Sequence, residues 1–332
     1  MSHPLPKEDL KHVLEQTGEL WSEARVLFTG ASGFFGSWML ESFLYAGTKL
    51  DLPLRAIAVT RDARRFSRHL PHLAGDPRVE ILESDAAMLP VPDGPVDYVI
   101  HSLVPDAGIP LGGQEGFFRS ATARLLDIAS AKNAEGFLLC STGAVYQPHD
   151  PQGPFREDDP RAPLDAPVSY GQIRRKLEDQ CLDAWRERSL PVKIARGFAF
   201  VGPRLPLDAG FAIGNFIEDG LAGRPISVQG DGTAVRSYLY AADLAAWLWT
   251  ILLDGPPGRA FNVGSAKPVT IGELAREIGR LFDVEIRTGS GPISGAAPSF
   301  YLPDTSRMVS EFDILEWTDQ EEALEKSIRW HR

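Results

Sequence analysis

The sequence is short of several features, each of which would point to a different kind of protein. It has only two cysteines, Cys140 and Cys181, in 332 residues. Neither belongs to a CxxC pair, which excludes a disulfide framework and a cysteine zinc site, so both are expected as buried thiols. No stretch approaches the roughly 18 consecutive apolar residues that a membrane-spanning helix needs. The opening residues, MSHPLPKEDLKHVLEQTGELW, hold no apolar segment behind a basic cluster. No signal peptide is therefore expected, and the cytoplasm is the expected compartment. Basic side chains are in deficit, 34 Lys and Arg against 45 Asp and Glu, for a net charge of -11. That balance repels a polyanion, so nucleic-acid binding is not expected. Internal repeats and low-complexity tracts are also missing.

What is present is ordinary globular composition, 43% hydrophobic and 24% charged, in a chain long enough for two lobes. Leu10, Val13, Leu14 and Leu20 recur at helical spacing and predict a lead-in helix within residues 1–23. From Arg25 short apolar runs alternate with helical stretches: RVLFTG, GFFGSWMLESFLYAG, RAIAVT, VEIL, VDYVIHS, FFRSATARLLDIASAK and GFLLCST. The pattern predicts the α/β class, with a Rossmann-type doubly wound parallel sheet over residues 24–196. After PVKIARGFAFVGP the alternation weakens and Pro and Gly become frequent. A smaller C-terminal α/β substrate-binding lobe is expected over 197–332, with some of its segments returning to the Rossmann domain. DLAAWLWTILLDG and TIGELAREIGRLFD read as helices of that lobe.

In VLFTGASGFFGSWML, Gly30, Gly33 and Gly36 fall between a predicted strand and a predicted helix. The first glycine permits a tight turn, the second lets backbone amides approach a pyrophosphate, and the third lets the helix pack closely on the sheet. The helix N-terminus adds partial positive charge. A dinucleotide cofactor is expected there. Its adenosine end should meet the end of the second strand, where an acid suits a ribose diol and an arginine suits a 2'-phosphate. Here Thr60 is followed by Arg61, with Arg64 and Arg65 close behind, which favours NADP(H) slightly; Asp62 leaves NAD(H) open.

Taken in order, TGASGFFG, CSTGAVY, SYGQIRR, RGFAFVGPR, GDGTAVRSYLYAADLA and FNVGSAKPVTIGELA resemble the extended short-chain dehydrogenase/reductase family, in its nucleotide-sugar epimerase and dehydratase branch. The resemblance implies that Thr142 hydrogen-bonds the reacting sugar oxygen and that Tyr170 exchanges a proton at a sugar hydroxyl. It also implies cofactor contacts at Gly30, Ser32, Gly33, Phe34, Phe35, Gly36, Arg61, Asp85, Ala86, Ser102, Leu103, Tyr170 and Arg174. A phenol has a reference pKa near 10 and needs a neighbouring cation to ionise near neutral pH. The family's lysine for this purpose lies four residues after the tyrosine, on the same helix face. In this chain that position is Arg174, and Lys176, six residues on, points elsewhere. An arginine supplies charge and donors, but its planar fork differs from an ammonium.

The resemblance further implies a nucleotide-sugar ligand, with Arg236 on its diphosphate and with Ala199, Arg204 and Asn215 at substrate-contacting positions. Asn215 also reads as a helix N-cap, and Asp243 as a cap rather than a catalyst. Two family residues are replaced: Ala199 stands where Asn is usual, and Ser237 where Asp is usual. After Thr142 the related 4,6-dehydratases carry Asp-Glu and the related decarboxylases a Glu, whereas this chain has Gly143 and Ala144. Elimination and decarboxylation lack their acid and base. An epimerase is expected first, with an NADPH-dependent reductase of a keto sugar or other carbonyl second. A 4,6-dehydratase and a catalytically silent dinucleotide-binding protein complete the set. As in relatives, a homodimer through helices near 114–132 and 169–188 is expected.

Overall fold

The computed structural model describes residues 3–104, 110–147, 153–164, 169–289 and 299–332. The chain divides into two compact units, the first made of Met1–Gln147, Glu157–Gly197 and Ala245–Phe261. The second consists of Pro148–Arg156, Phe198–Leu244 and Asn262–Arg332.

In the first unit, β1 (Arg25–Thr29), β2 (Arg55–Thr60), β3 (Val79–Glu83), β4 (Tyr98–His101), β5 (Gly136–Thr142) and β6 (Val192–Gly197) follow the apolar runs of the sequence. The helices are α1 (Lys7–Thr17), α2 (Phe34–Leu50), α3 (Ala63–His69), α4 (Pro71–Ala74), α5 (Leu111–Ala131) and α6 (Tyr170–Arg188). One seven-stranded sheet runs in the order Arg259–Val263, β6, β5, β4, β1, β2, β3. The pairs among β1 to β6 are parallel. β4 and β5 are buried along their whole length, as expected of strands covered on both faces.

One face of the sheet packs Leu27, Val99, Phe137 and Leu139 against Phe118, Leu125, Ile173 and Leu177 of α5 and α6. The other face carries Phe28, Phe43 and Trp249, with the Trp249 ring stacked on Phe43 at 5.6 Å and its indole N–H donating to Ser42. The strand order reverses between β1 and β4, the switch point whose carboxyl-end side is where open α/β sheets bind ligands. α5 starts earlier than its apolar spacing suggests, because Gly112, Gly113 and Gly116 in its first turns supply neither propensity nor side chains.

The helix Ala241–Leu253, assigned by sequence to the C-terminal lobe, belongs to the first unit from Ala245 onward. It is buried on every side, so its pattern does not tell which core receives it. Among the described residues, the second unit holds three two-stranded sheets. Its amphipathic helix Ile271–Phe282 starts with a capping box between Thr270 and Glu273. Among the described residues, no helix is long and apolar enough to cross a membrane.

Candidate active site

The residues SYGQ set the direction of Tyr170. Ser169 caps α6 by accepting from the Gln172 N–H at 3.3 Å, and the Gln172 side chain accepts from the Ser169 N–H at 3.1 Å. This reciprocal cap makes Tyr170 the first residue of the helix. Gly171 follows for a steric reason: a Cβ there would collide with the Ala144 carbonyl oxygen. The helix start therefore rests on the turn Gly143–Val145 that follows Thr142. Thr142, buried at the end of β5, accepts from the Ala144 N–H at 3.2 Å.

One turn further along α6, Arg174 is only 2% exposed. Its Nε–H donates to Tyr170 Oη at 3.0 Å, and Nη2 donates to the Leu103 carbonyl. The guanidinium lies over the Tyr170 ring at 5.1 Å and the Phe118 ring at 5.4 Å. Nη1 is buried without a hydrogen-bond partner, and among the described residues no carboxylate pairs with this cation. Lys176 faces away, bound to Glu115 at 2.7 Å.

The surroundings register that charge. His101, fully buried at the end of β4, contacts Thr29 Oγ1 at 3.3 Å and Thr122 Oγ1 at 2.9 Å. Burial, with Arg174 nearby, pushes its pKa down to about 3, which keeps the imidazole neutral. Burial pushes the Cys140 thiol up to about 12 against the opposing pull of Arg174, and Cys181 is raised by burial as well. Both cysteines are buried and free.

A second tyrosine–arginine pair lies at the ends of β5 and β6. Arg196 Nη1 donates to Tyr146 Oη at 2.9 Å, and the guanidinium grips Glu178 through Nε at 3.1 Å and Nη2 at 2.8 Å. Ser141 Oγ donates to the same carboxylate at 2.6 Å, and Arg161 reaches it at 3.3 Å. Burial raises the Tyr146 phenol pKa. For Arg196 burial opposes the charge, but Glu178 and Tyr146 outweigh it and the pKa rises.

At the glycine turn, Gly30 has φ +74°, and a Cβ there would sit 2.5 Å from the Ser102 carbonyl oxygen. A Cβ at Gly36 would collide with the Gly30 carbonyl. Gly33 is the N-cap of α2 and contributes no side-chain cap, so the first helical amides are not taken by a capping side chain. Phe34 and Phe35 begin α2 half-buried, and Ser32 is exposed. Ser102 Oγ donates to the Thr29 carbonyl at 2.7 Å, tying β4 to β1. Asp85 caps the turn Ala86–Met88 by accepting from the Ala87 N–H at 2.8 Å, and Ala86 is buried. At the end of β2, Arg61 is exposed, and Asp62 caps α3 by accepting from the Arg65 N–H at 2.7 Å.

The structure thus gathers Thr142, Tyr170 and Arg174 at neighbouring element ends of the first unit. The substrate candidates lie in the second unit. Arg236 donates to the Val235 carbonyl and to Ser299 at 2.7 to 3.1 Å. Arg204 is buried with φ +68°, a left-handed backbone costly for a side chain of this kind. The Ala199 carbonyl accepts from the Leu239 N–H at 3.1 Å. Asn215 is not a cap: Phe211 is the N-cap of helix Ala212–Leu221, which places Asn215 inside its first turn. Asp243 lies buried in the first turn of its helix and accepts from the Thr318 N–H at 3.0 Å.

Sequence reasoning passed over Gly171, Glu178 and Arg196. The available signal was an acid four residues beyond Arg174, on a helix face otherwise filled by Ile173, Leu177 and Cys181.

This chain is 27% identical over 297 residues to UDP-glucuronic acid decarboxylase 1 of Arabidopsis thaliana, covering 85% of this chain and 64% of that protein. It spans 63% and 62% of two further decarboxylases of the same plant, so it is under two thirds of the length of these relatives. The low-salt glycan biosynthesis protein Agl12 of Haloferax volcanii is 31% identical over 267 residues, covering 76% of this chain and 81% of its own. Among solved structures, UDP-glucuronic acid 4-epimerase of Bacillus cereus, in complex with UDP-glucuronic acid and NAD, has a TM-score of 0.78 at 20% identity, covering 92% and 98% of the two chains. The dTDP-glucose 4,6-dehydratase of Bacillus anthracis, in complex with NAD, has a TM-score of 0.74 at 20% identity, covering 93% and 96%. The fold agrees with these structures, and the NAD dependent epimerase/dehydratase family model matches residues 26–264. The chain belongs to that family.

Proposed function

We propose that the protein is an NAD(P)-dependent nucleotide-sugar epimerase. The observation that carries this reading is the pair of half-buried Tyr170 and buried Arg174 at 3.0 Å, beside a strand end whose next residues, Gly143 and Ala144, bear no acid or base. A bound dinucleotide would supply reversible hydride exchange at a sugar carbon.

The chain's own residues would do the rest. The amides at the start of α2 would donate to the pyrophosphate, and Asp85, Ala86, Ser102 and Leu103 would line the adjoining strand ends. Tyr170 Oη takes and returns the proton at the reacting hydroxyl, and the Arg174 guanidinium stabilises the negative charge on that oxygen. Arg174 Nη1, buried and unpartnered, has donor capacity for a ribose hydroxyl of the cofactor. Thr142 orients the sugar oxygen. Tyr146 is given no such role, because Glu178 neutralises its arginine and burial keeps it a neutral phenol. In the second unit, Arg236, Arg204 and Asn215 are the residues proposed for the nucleoside diphosphate.

Some relatives bear decarboxylase and dehydratase names. Both reactions require an added acid or base at the sugar, and general acid–base groups of that kind are missing after Thr142. A second reading, an NADPH-dependent reductase of a keto sugar, is favoured by Arg61 just after β2 and by Arg64 and Arg65 in the first turn of α3, where the neighbouring Asp62 is engaged as a helix cap. These arginines support NADP(H) over NAD(H) through the affinity of a guanidinium for a 2'-phosphate.

The test is incubation with a panel of nucleotide sugars, with and without NAD(P)H, read by proton NMR and mass spectrometry. An unchanged mass with altered ring couplings is the expected result. Net consumption of NADPH selects the reductase, and loss of water or carbon dioxide contradicts both.

A further inference from the structure

Glu178 is buried completely, yet nothing in the proposed chemistry uses it. A buried carboxylate is costly unless every lone pair finds a donor. Here each oxygen has two. Oε1 accepts from Ser141 Oγ at 2.6 Å and Arg196 Nε at 3.1 Å, while Oε2 accepts from Arg196 Nη2 at 2.8 Å and Arg161 Nη1 at 3.3 Å. The donors come from different elements: Ser141 precedes Thr142 on β5, Arg196 is near the end of β6, and Arg161 also binds Asp179 of α6 at 2.8 Å. Glu178 itself stands one helical turn beyond Arg174 and two beyond Tyr170, on the same side of α6. The knot therefore ties α6 to the strand that carries Thr142.

We propose that Glu178 is a positioning residue: acting through Ser141 and Arg196, it fixes the place at which α6 presents the Tyr170–Arg174 pair to the end of β5. This rests on the reading of Tyr170 and Arg174 as the reacting pair. The contact it protects is demanding. Arg174 must keep its Nε–H on Tyr170 Oη and its Nη2 on the Leu103 carbonyl together, and a small slide of α6 along β5 cannot satisfy both. Shortening the carboxylate arm by one methylene keeps the charge but pulls on the helix. Removing the Ser141 hydroxyl releases one tether and leaves the ion pair intact.

The variants are Glu178→Asp and Ser141→Ala in the full chain, with the second serving if the first does not fold. The first readout needs no substrate. With 15N-labelled arginine, the Arg174 Nε–H gives a cross-peak identified by its loss in Arg174→Lys, and its exchange with solvent reports the contact with Tyr170. Both variants are expected to speed that exchange about tenfold or more without lowering the unfolding midpoint to match, since local opening is then easier than global opening. In the turnover assay kcat should fall about tenfold to a hundredfold with KM for the nucleotide sugar little changed, because small misplacements of reacting groups carry losses of that size. Unchanged exchange in a folded variant overturns the proposal. Failure of the reaction reading would show separately, as a wild-type protein that converts no nucleotide sugar whatever the exchange result.

Discussion

Arg174 and Arg196 are both buried guanidiniums that donate to a tyrosine oxygen, at 3.0 and 2.9 Å, and both lie over that tyrosine's ring. They differ in what completes them. Arg196 has the bidentate Glu178 carboxylate and the Glu157 carbonyl. Arg174 has a backbone carbonyl, two rings and an orphaned Nη1, and among the described residues no counter-ion. A satisfied buried network fixes a fold, whereas a buried cation with unused donor capacity is a place where a ligand's oxygen or a phenolate completes the balance. In the proposed reading, the same two residue types serve architecture at one strand end and chemistry beside the next.

Breaking the satisfied pair should have the largest effect. Arg196→Ala leaves Glu178 in the core with only Ser141 and the half-buried Arg161 as partners and should lower unfolding free energy by about 3–5 kcal/mol in urea titrations, as expected when the main partner of a buried ion pair is removed. Arg174→Met should do the reverse: stability within about 1 kcal/mol of wild type, since no buried carboxylate is stranded. Its turnover should fall about 10²-fold or more, a loss typical of removing electrostatic stabilisation at a reacting oxygen. If both arginines behave alike in both assays, the distinction between them collapses.

Gly171→Ala sharpens the comparison from the backbone side. The added methyl meets the Ala144 carbonyl, so the variant should lose about 1–3 kcal/mol, the usual cost of overpacking, and should lose activity with it. The smallest effect near neutral pH concerns His101. Its folded pKa of about 3 lies below the ordinary value of 6.5, so the unfolded chain binds the proton first. Its contribution to stability is therefore complete above pH 6.5 and declines as pH falls from 6.5 toward 3, by at most about 1.4 kcal/mol per unit. His101→Gln should show a shallower loss between pH 6.5 and 5 in denaturant midpoints.

Much of the first unit was legible in the sequence because its signals are local. Alternating apolar runs gave the strands, the spacing of Gly30, Gly33 and Gly36 marked the β1–α2 turn, and the four-residue step placed Arg174 beside Tyr170. What was not legible depends on distant partners. Glu178 reads as a surface acid until Ser141 and Arg196 are brought to it by β5 and β6. Asn215 looked like a cap because asparagine favours caps, but the helix begins one turn earlier at Phe211. The helix Ala241–Leu253 carries no polar face to show which core receives it.

The central claim is that one of the two phenols is chemical and the other architectural. The most direct measurement is the turnover of Tyr170→Phe and Tyr146→Phe, side by side, on whichever nucleotide sugar the wild type converts. The account predicts a loss of about 10² to 10⁴-fold for Tyr170→Phe, the range for removing a general acid–base group, and a change of only a few-fold for Tyr146→Phe. Equal losses, or a larger loss at Tyr146, would contradict it.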